Sequence, residues 1–243
     1  MGMRIGVYRL VVFWAAFLLF QIQPVTSKAM LPGFGGSYLV WGATLVFYQA
    51  MLLAGYVYAH AVQRMAGVRR YSRLHGVMLV GAFAFFPLRF DQPPAVTGLP
   101  LAVGVFLRLL ATVSLPVMAL ATTSLVLQRW LAASDLPQRE NPYVLYGASN
   151  LGSMLGLLTY PFIVEPLLSL EAQRLAWWGL YALTVILHAW CLPGHGGEPA
   201  RFSPPEGGRR RSGRPGEGSR LTWFLLSAGA SAVLVSTTNV ITL

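Results

Sequence analysis

The chain has 243 residues, 55% of them hydrophobic and only 11% charged, less than half the roughly 25% charged share of soluble domains; its mean hydropathy is +0.57. So few charges cannot cover the surface of a soluble globule of this length. The net charge of +10 is spread as arginines over short segments between apolar runs, which leaves no compact basic domain for nucleic acid and matches charge placement in membrane proteins.

A helix needs about 20 apolar residues to cross the ~30 Å hydrocarbon layer. The first candidate span begins near Val7 and runs through residues 11–20. Arg4 and Arg9 ahead of such a run also fit a secretory signal peptide, although residues 25–29 make a poor small-residue cleavage site. The second span covers residues 38–62, the third, a short one, 76–90, and the fourth 101–127, which carries Pro116. Residues 142–164 and 175–192 give the fifth and sixth. Residues 193–220 lack apolar periodicity and are rich in Gly, Pro and Arg, which reads as a disordered basic linker. Its Arg209–Arg211 run suits either an anionic lipid surface or a solvated loop that fixes topology. A seventh span starts at Leu221 and reaches Leu243 with no polar flank, so the chain is expected to be the N-terminal portion of a longer protein. The expected organisation is a six-helix transmembrane bundle over residues 1–192, a linker over 193–220 and a seventh helix over 221–243.

The arginines orient these spans. With the N-terminus cytoplasmic, fourteen of the eighteen cations fall on one side, among them Arg4, Arg9, Arg70, Arg73, Arg129, Arg139 and the linker arginines. Only Lys28, Arg89, Arg108 and Arg174 fall on the other. Basic loops inside make this a multi-pass membrane protein with a cytoplasmic N-terminus.

Polar side chains within spans face other helices or a cavity. At ~100° per residue, Gln21 and Lys28 share a face of the first span with Pro24 nearby, while Gln23 points elsewhere. Gln49 sits midway along the second span, with Tyr56 and His60 near its face. Arg108 lies seven residues inside the outer end of the fourth and either snorkels or is buried and paired. The fifth span places Gly152 and Gly156 at the spacing that lets two helix backbones approach, with Ser149 and Ser153 one turn apart. Tyr146 and Asn150 share a face there. Two readings stand: a tight helix–helix contact with Asn150 bonding across it, or a polar cavity lined by Tyr146 and Asn150.

No catalytic constellation emerges. The four histidines have no metal-ligand spacing, His60 and His75 flank a basic loop as interfacial residues would, and the single Cys191 excludes an internal disulfide and a cysteine-based zinc site. No carboxylate pair, Ser-His-Asp set or nucleotide fingerprint is present, so the expected catalytic, cofactor-binding and metal residues of these 243 positions are none.

Three segments carry a resemblance. One is FQIQPVTSKAMLPGFGGS from Phe20, continuing to Val40-Trp41 and LLAGYVYAH from Leu52 to His60; another is LPVMALATTSLVLQRW from Leu115 to Trp130. The last is PYVLYGASNLGS from Pro142, running on to YPFIVEP, Tyr160 to Pro166. Together they resemble the membrane region of bacterial fused proteins described as major-facilitator/spermidine-synthase-like. The resemblance implies an all-α polytopic bundle, a major-facilitator-like N-terminal half plus the start of a second. It also implies, in many members, a cytoplasmic aminopropyltransferase-like domain downstream of the spans. The membrane motif falls on Gln23, Pro24, Lys28, Gln128, Tyr146, Asn150, Gly152 and Glu165. The functions expected are a transporter-like domain for a small polar solute, a membrane anchor for that downstream soluble domain, or a non-transporting assembly scaffold. The expected partners are the lipid bilayer, that solute and that domain.

Overall fold

The computed structural model describes residues 2–65, 68–86 and 99–191. The linker, the seventh span and the last residues of the third lie outside them. The described residues are helical and contain no strand: α1 Gly2–Phe34, α2 Tyr38–Met65, α3 Val68–Gly81, α4 Leu101–Ala132, α5 Tyr146–Thr159, α6 Glu165–Leu167 and α7 Leu170–Trp190. Short 3₁₀ segments extend α3 over Ala82–Phe85 and precede α5 at Pro137–Glu140 and Pro142–Leu145. Among the described residues, three stretches are long and apolar enough to cross a bilayer: Arg4–Phe34, Tyr38–Gln63 and Leu101–Ala132. Large apolar side chains such as Leu53, Val57, Phe162 and Ile186 remain exposed on the outside of the bundle, a surface suited to lipid tails rather than to water.

Several boundaries differ from the sequence expectation, each for a local reason. The first helix starts ahead of the expected Val7 and runs 33 residues through Pro24 and Pro32, roughly 50 Å at 1.5 Å per residue. The hydroxyls of Thr26 and Ser27 bond back to the carbonyls of Ile22 and Gln23 around Pro24, a use of Ser and Thr that helps a membrane helix tolerate proline. Helix α3 begins at Val68, eight residues before the expected span. Tyr71, Ser72, His75, Met78, Leu79 and Ala82 form its buried stripe while Arg70 and Arg73 stay exposed, the amphipathic pattern of a helix half against a core. This corrects the interfacial placement of His75, which is 0% exposed. Helix α7 starts five residues early because Ser169 caps it, its Oγ accepting from the Ala172 amide at 3.3 Å.

Contacts between helices fix their directions. Phe13 meets Gly152, Phe17 meets Gly156, Gln21 meets Thr159 and Lys28 meets Glu165, so α1 and α5 run parallel. The Tyr8 hydroxyl donates to the Cys191 carbonyl and the Trp177 indole to that of Leu18, so α7 is antiparallel to α1. Tyr181 donates to the Leu79 carbonyl, which sets α7 antiparallel to α3 as well. Two apolar cores result. One gathers Leu18, Ile22, Phe47, Leu109, Val113, Trp177 and Tyr181; the other gathers Val11, Tyr71, Val126, Trp130, Leu145 and Cys191.

Candidate functional site

A close helix contact prepares the site. A methyl group added at Gly152 would collide with the Phe13 carbonyl oxygen, and one at Gly156 would lie 2.7 Å from that of Phe17. Only glycine lets the α1 and α5 backbones meet this closely, the role small residues play at membrane helix crossings. Gln21, buried against α5, then donates from Nε2 to the Gly156 carbonyl at 2.9 Å and to Thr159 Oγ1 at 2.7 Å.

A groove of about 590 Å³ lies next to that crossing, lined by Gln23, Pro24 and Ser27 of α1, Trp41, Gly42 and Leu45 of α2, and Leu157, Tyr160 and Pro161 at the end of α5. Its size is within the ~300–1,000 Å³ of small-molecule sites. The α5 wall changes pitch here. Residues Tyr160–Val164 form a π-helical turn in which the Glu165 amide bonds to the Tyr160 carbonyl, and Pro161, with no amide hydrogen to give, sits at its start. Such turns re-aim side chains at functional positions.

Most of the lining is apolar, and Gln23, Ser27 and Tyr160 are the polar residues in it. The Tyr160 hydroxyl is buried and has no hydrogen-bond partner among the described residues. The Gln23 carboxamide likewise makes no bond to a described residue, while Ser27 Oγ is spent on the Gln23 carbonyl. One turn outward of Tyr160 and Pro161, Glu165 Oε1 accepts from Lys28 Nζ at 2.8 Å across the α1–α6 boundary. The arrangement offers an apolar slot with an amide and a phenol inside and an ion pair at its edge. It holds no nucleophile paired with a base, and among the described residues no group of three or more His, Cys, Asp or Glu could hold a metal ion.

The residues singled out in the sequence divide into two sets. Gln21, Gln23, Lys28, Gly152 and Gly156 come together at the α1–α5 crossing and the groove. Gln49, Tyr146 and Asn150 do not join them; all three are exposed. Gln49 is one turn from Leu45 along α2 and Asn150 two turns from Leu157 along α5, so both continue the open faces of the groove walls. Asn150 bonds to no described residue and is not the inter-helix bond of the first reading; Tyr146 stacks on Tyr143 with centroids 5.6 Å apart instead of closing a cavity around Asn150. The Ser153 hydroxyl donates to the Ser149 backbone carbonyl within its own helix, the usual fate of membrane serines. Gln128 of the membrane motif donates to Ser124 at 3.2 Å along α4. Tyr160, Thr159 and Trp41 were not among the candidates. The signals that could have raised Tyr160 are its place directly before Pro161 and at the head of the YPFIVEP segment of the resemblance.

Comparison with protein-family models, curated proteins and solved structures finds no match to this chain.

Proposed function

We propose that this chain is the transporter-like membrane domain of a protein resembling the fused major-facilitator/spermidine-synthase-like group, with a small, partly apolar solute taken up in the groove between α1, α2 and α5. The observation that carries this reading is a groove of ligand size lined by Gln23 and by Tyr160, whose hydroxyl is buried with no partner among the described residues. Leaving such a hydroxyl unpaired inside a membrane is costly unless a ligand or water meets it. The motif residues of the resemblance support the same place, since Gln23 and Pro24 line the groove and Lys28 and Glu165 close its edge. About seven crossings, a cytoplasmic N-terminus and an inner-membrane location belong to this proposal. No buried carboxylate faces the groove among its lining residues, so a neutral or weakly polar solute suits it better than a polyamine.

Proteoliposomes holding the full chain, assayed for uptake of a panel of neutral and cationic solutes, test the reading. Uptake of at least one solute, reduced several-fold in Gln23→Leu and Tyr160→Phe but retained in Gln49→Leu, is expected. No uptake of any solute would overturn it.

The mostly apolar lining favours one second reading, a lipid-filled groove on a scaffold or on the anchor of a downstream aminopropyltransferase-like domain. A cysteine at Leu45 or Leu157 separates the two. Labelling by a membrane-impermeant maleimide means a wet solute path; labelling only by a lipid-soluble one means a groove filled with lipid.

A further inference from the structure

The wall that α5 gives the groove is tied to α1 on both sides of its π-helical turn. Before the turn, Gln21 donates to the Gly156 carbonyl at 2.9 Å and to Thr159 Oγ1 at 2.7 Å. After it, Lys28 Nζ donates to Glu165 Oε1 at 2.8 Å. Between the two ties lies Tyr160–Val164, closed by the bond from the Glu165 amide to the Tyr160 carbonyl. Tyr160 and Pro161 of this stretch line the groove.

The turn and the ion pair depend on each other. Gly156 faces α1, since a Cβ there would press on the Phe17 carbonyl. In an unbroken α-helix Glu165, nine residues further on, would point ~180° away from it at ~100° per residue. That is the far side of α5 from α1. A π turn, with bonds from i to i+5, takes up one extra residue. It takes back ~100°, which leaves Glu165 ~80° from Gly156 and on the side of Lys28. The pair therefore forms only while the turn is π-helical.

Small changes separate the two forms. Tyr160 (φ −60°, ψ −61°), Val164 (φ −70°, ψ −49°) and Glu165 (φ −67°, ψ −43°) all keep right-handed helical torsions, so rewinding to an α-helix moves no residue to a new region. Leu168 and Ser169 are extended, and Gln173 of α7 holds the Leu168 carbonyl at 2.9 Å. These two residues absorb the rotation while α7 keeps its place. Pro161 favours the wide turn, because it offers no amide to the Leu157 carbonyl and its ring crowds that carbonyl in a regular helix. The ion pair adds a weak hold, its side chains being 41% and 43% exposed, worth up to about a factor of five.

We infer that the Lys28–Glu165 pair is a latch, and the Tyr160–Val164 turn the hinge, of a movable wall of the groove. Latched, the π form holds Pro161 and the residues after it as they stand. Released, the stretch rewinds and turns those residues by up to ~100°, which reshapes the groove. That this motion regulates a solute rests on the reading of the groove as a binding site; the latch and hinge do not.

Pulsed electron paramagnetic resonance on the full chain in nanodiscs, in a Cys191→Ala background, tests it. One spin label replaces Leu167, beyond the turn and 74% exposed; the other replaces Leu53 of α2 or Ile186 of α7, 65% and 57% exposed. Turning ~100° on a helix about 10–12 Å across moves a side chain by about 8 Å, and two reference helices ensure that one distance registers it. A major and a minor distance are expected. The minor population should grow two- to five-fold in about 1 M salt, where the Debye length is about 3 Å, and equally in Glu165→Gln. It should become the major one in Pro161→Ala. A single distance in the otherwise unaltered chain that salt leaves unchanged would overturn the latch, a result that needs neither of these variants to fold. So would a Pro161→Ala distribution equal to that of the parent. Unchanged distances beside solute uptake sink the latch alone, whereas the expected shifts without any uptake sustain it and sink the solute reading.

Discussion

Lys28 and Glu165 are 137 positions apart in the chain and form an ion pair with a 2.8 Å contact in the fold. The pair ties the outer part of α1 to the turn that ends the α5 segment, and it borders the groove that Gln23 and Tyr160 line. Both side chains remain about two-fifths exposed, at 41% and 43%, so solvent screens their attraction.

That exposure sets the size of the effect. A double-mutant cycle with Lys28→Met and Glu165→Gln, read by denaturant unfolding in bicelles, should give a coupling of about 0–1 kcal/mol that shrinks as salt is raised. A coupling well above that range would mean that the pair is buried in the membrane-bound protein.

Gly152 and Gly147 lie on the same helix and predict opposite outcomes. Any side chain at Gly152 collides with the Phe13 backbone, whereas nothing lies within 4 Å of a Cβ at Gly147. Gly152→Ala should destabilise the chain by about 1–3 kcal/mol, the usual cost of overpacking. Gly147→Ala should be neutral or stabilising by up to about 1 kcal/mol through helix propensity. Thermal unfolding of both variants in one detergent checks the difference; equal midpoints would remove the close α1–α5 approach.

These glycines were legible in the sequence because their reason is local, two small residues one turn apart on an apolar helix. The starts of α2 at Tyr38 and α4 at Leu101 were legible too, each at the edge of a long apolar run. The early start of α3 was not, because a span search weighs average apolarity, and Arg70 and Arg73 mask the buried stripe of Tyr71, His75 and Met78. Nor were the pairings across the bundle. Nothing local to His75 announces His188, its ring neighbour between α3 and α7, and nothing local to Lys28 announces Glu165; both meetings follow from which helices pack side by side. The slot at Tyr160 escaped for a related reason, since its walls come from three helices, α1, α2 and the end of α5.

Tyr8 offers a probe of the α1–α7 seam. Its hydroxyl, on a ring only 6% exposed, donates to the Cys191 carbonyl at 3.0 Å just past the end of α7. Tyr8→Phe keeps the ring and strands that carbonyl, so a loss of about 1 kcal/mol is expected. Hydrogen exchange should quicken at the last amides of α7 and stay unchanged in α2. A uniform change across both helices would mean that the bond does not hold the seam.

Gln21 and Asn150 set the final comparison, two carboxamides within apolar helices with different surroundings. Gln21 is 3% exposed and makes two bonds across to the α5 segment. Asn150 is exposed and bonds to no described residue. Bonds between membrane helices contribute about 0.6 kcal/mol on average and up to about 1.7. Gln21→Leu should therefore cost toward the upper end, because it breaks both bonds and leaves the Thr159 hydroxyl and a glycine carbonyl short of a partner. Asn150→Leu should stabilise the isolated domain or leave it unchanged, since it replaces an exposed amide by a lipid-compatible side chain. Unfolding of the two variants in bicelles decides the matter. A larger loss at Asn150 than at Gln21 would mean that Asn150 is covered by a partner in the membrane, and its face of α5 would then be an interface rather than a lipid-facing wall.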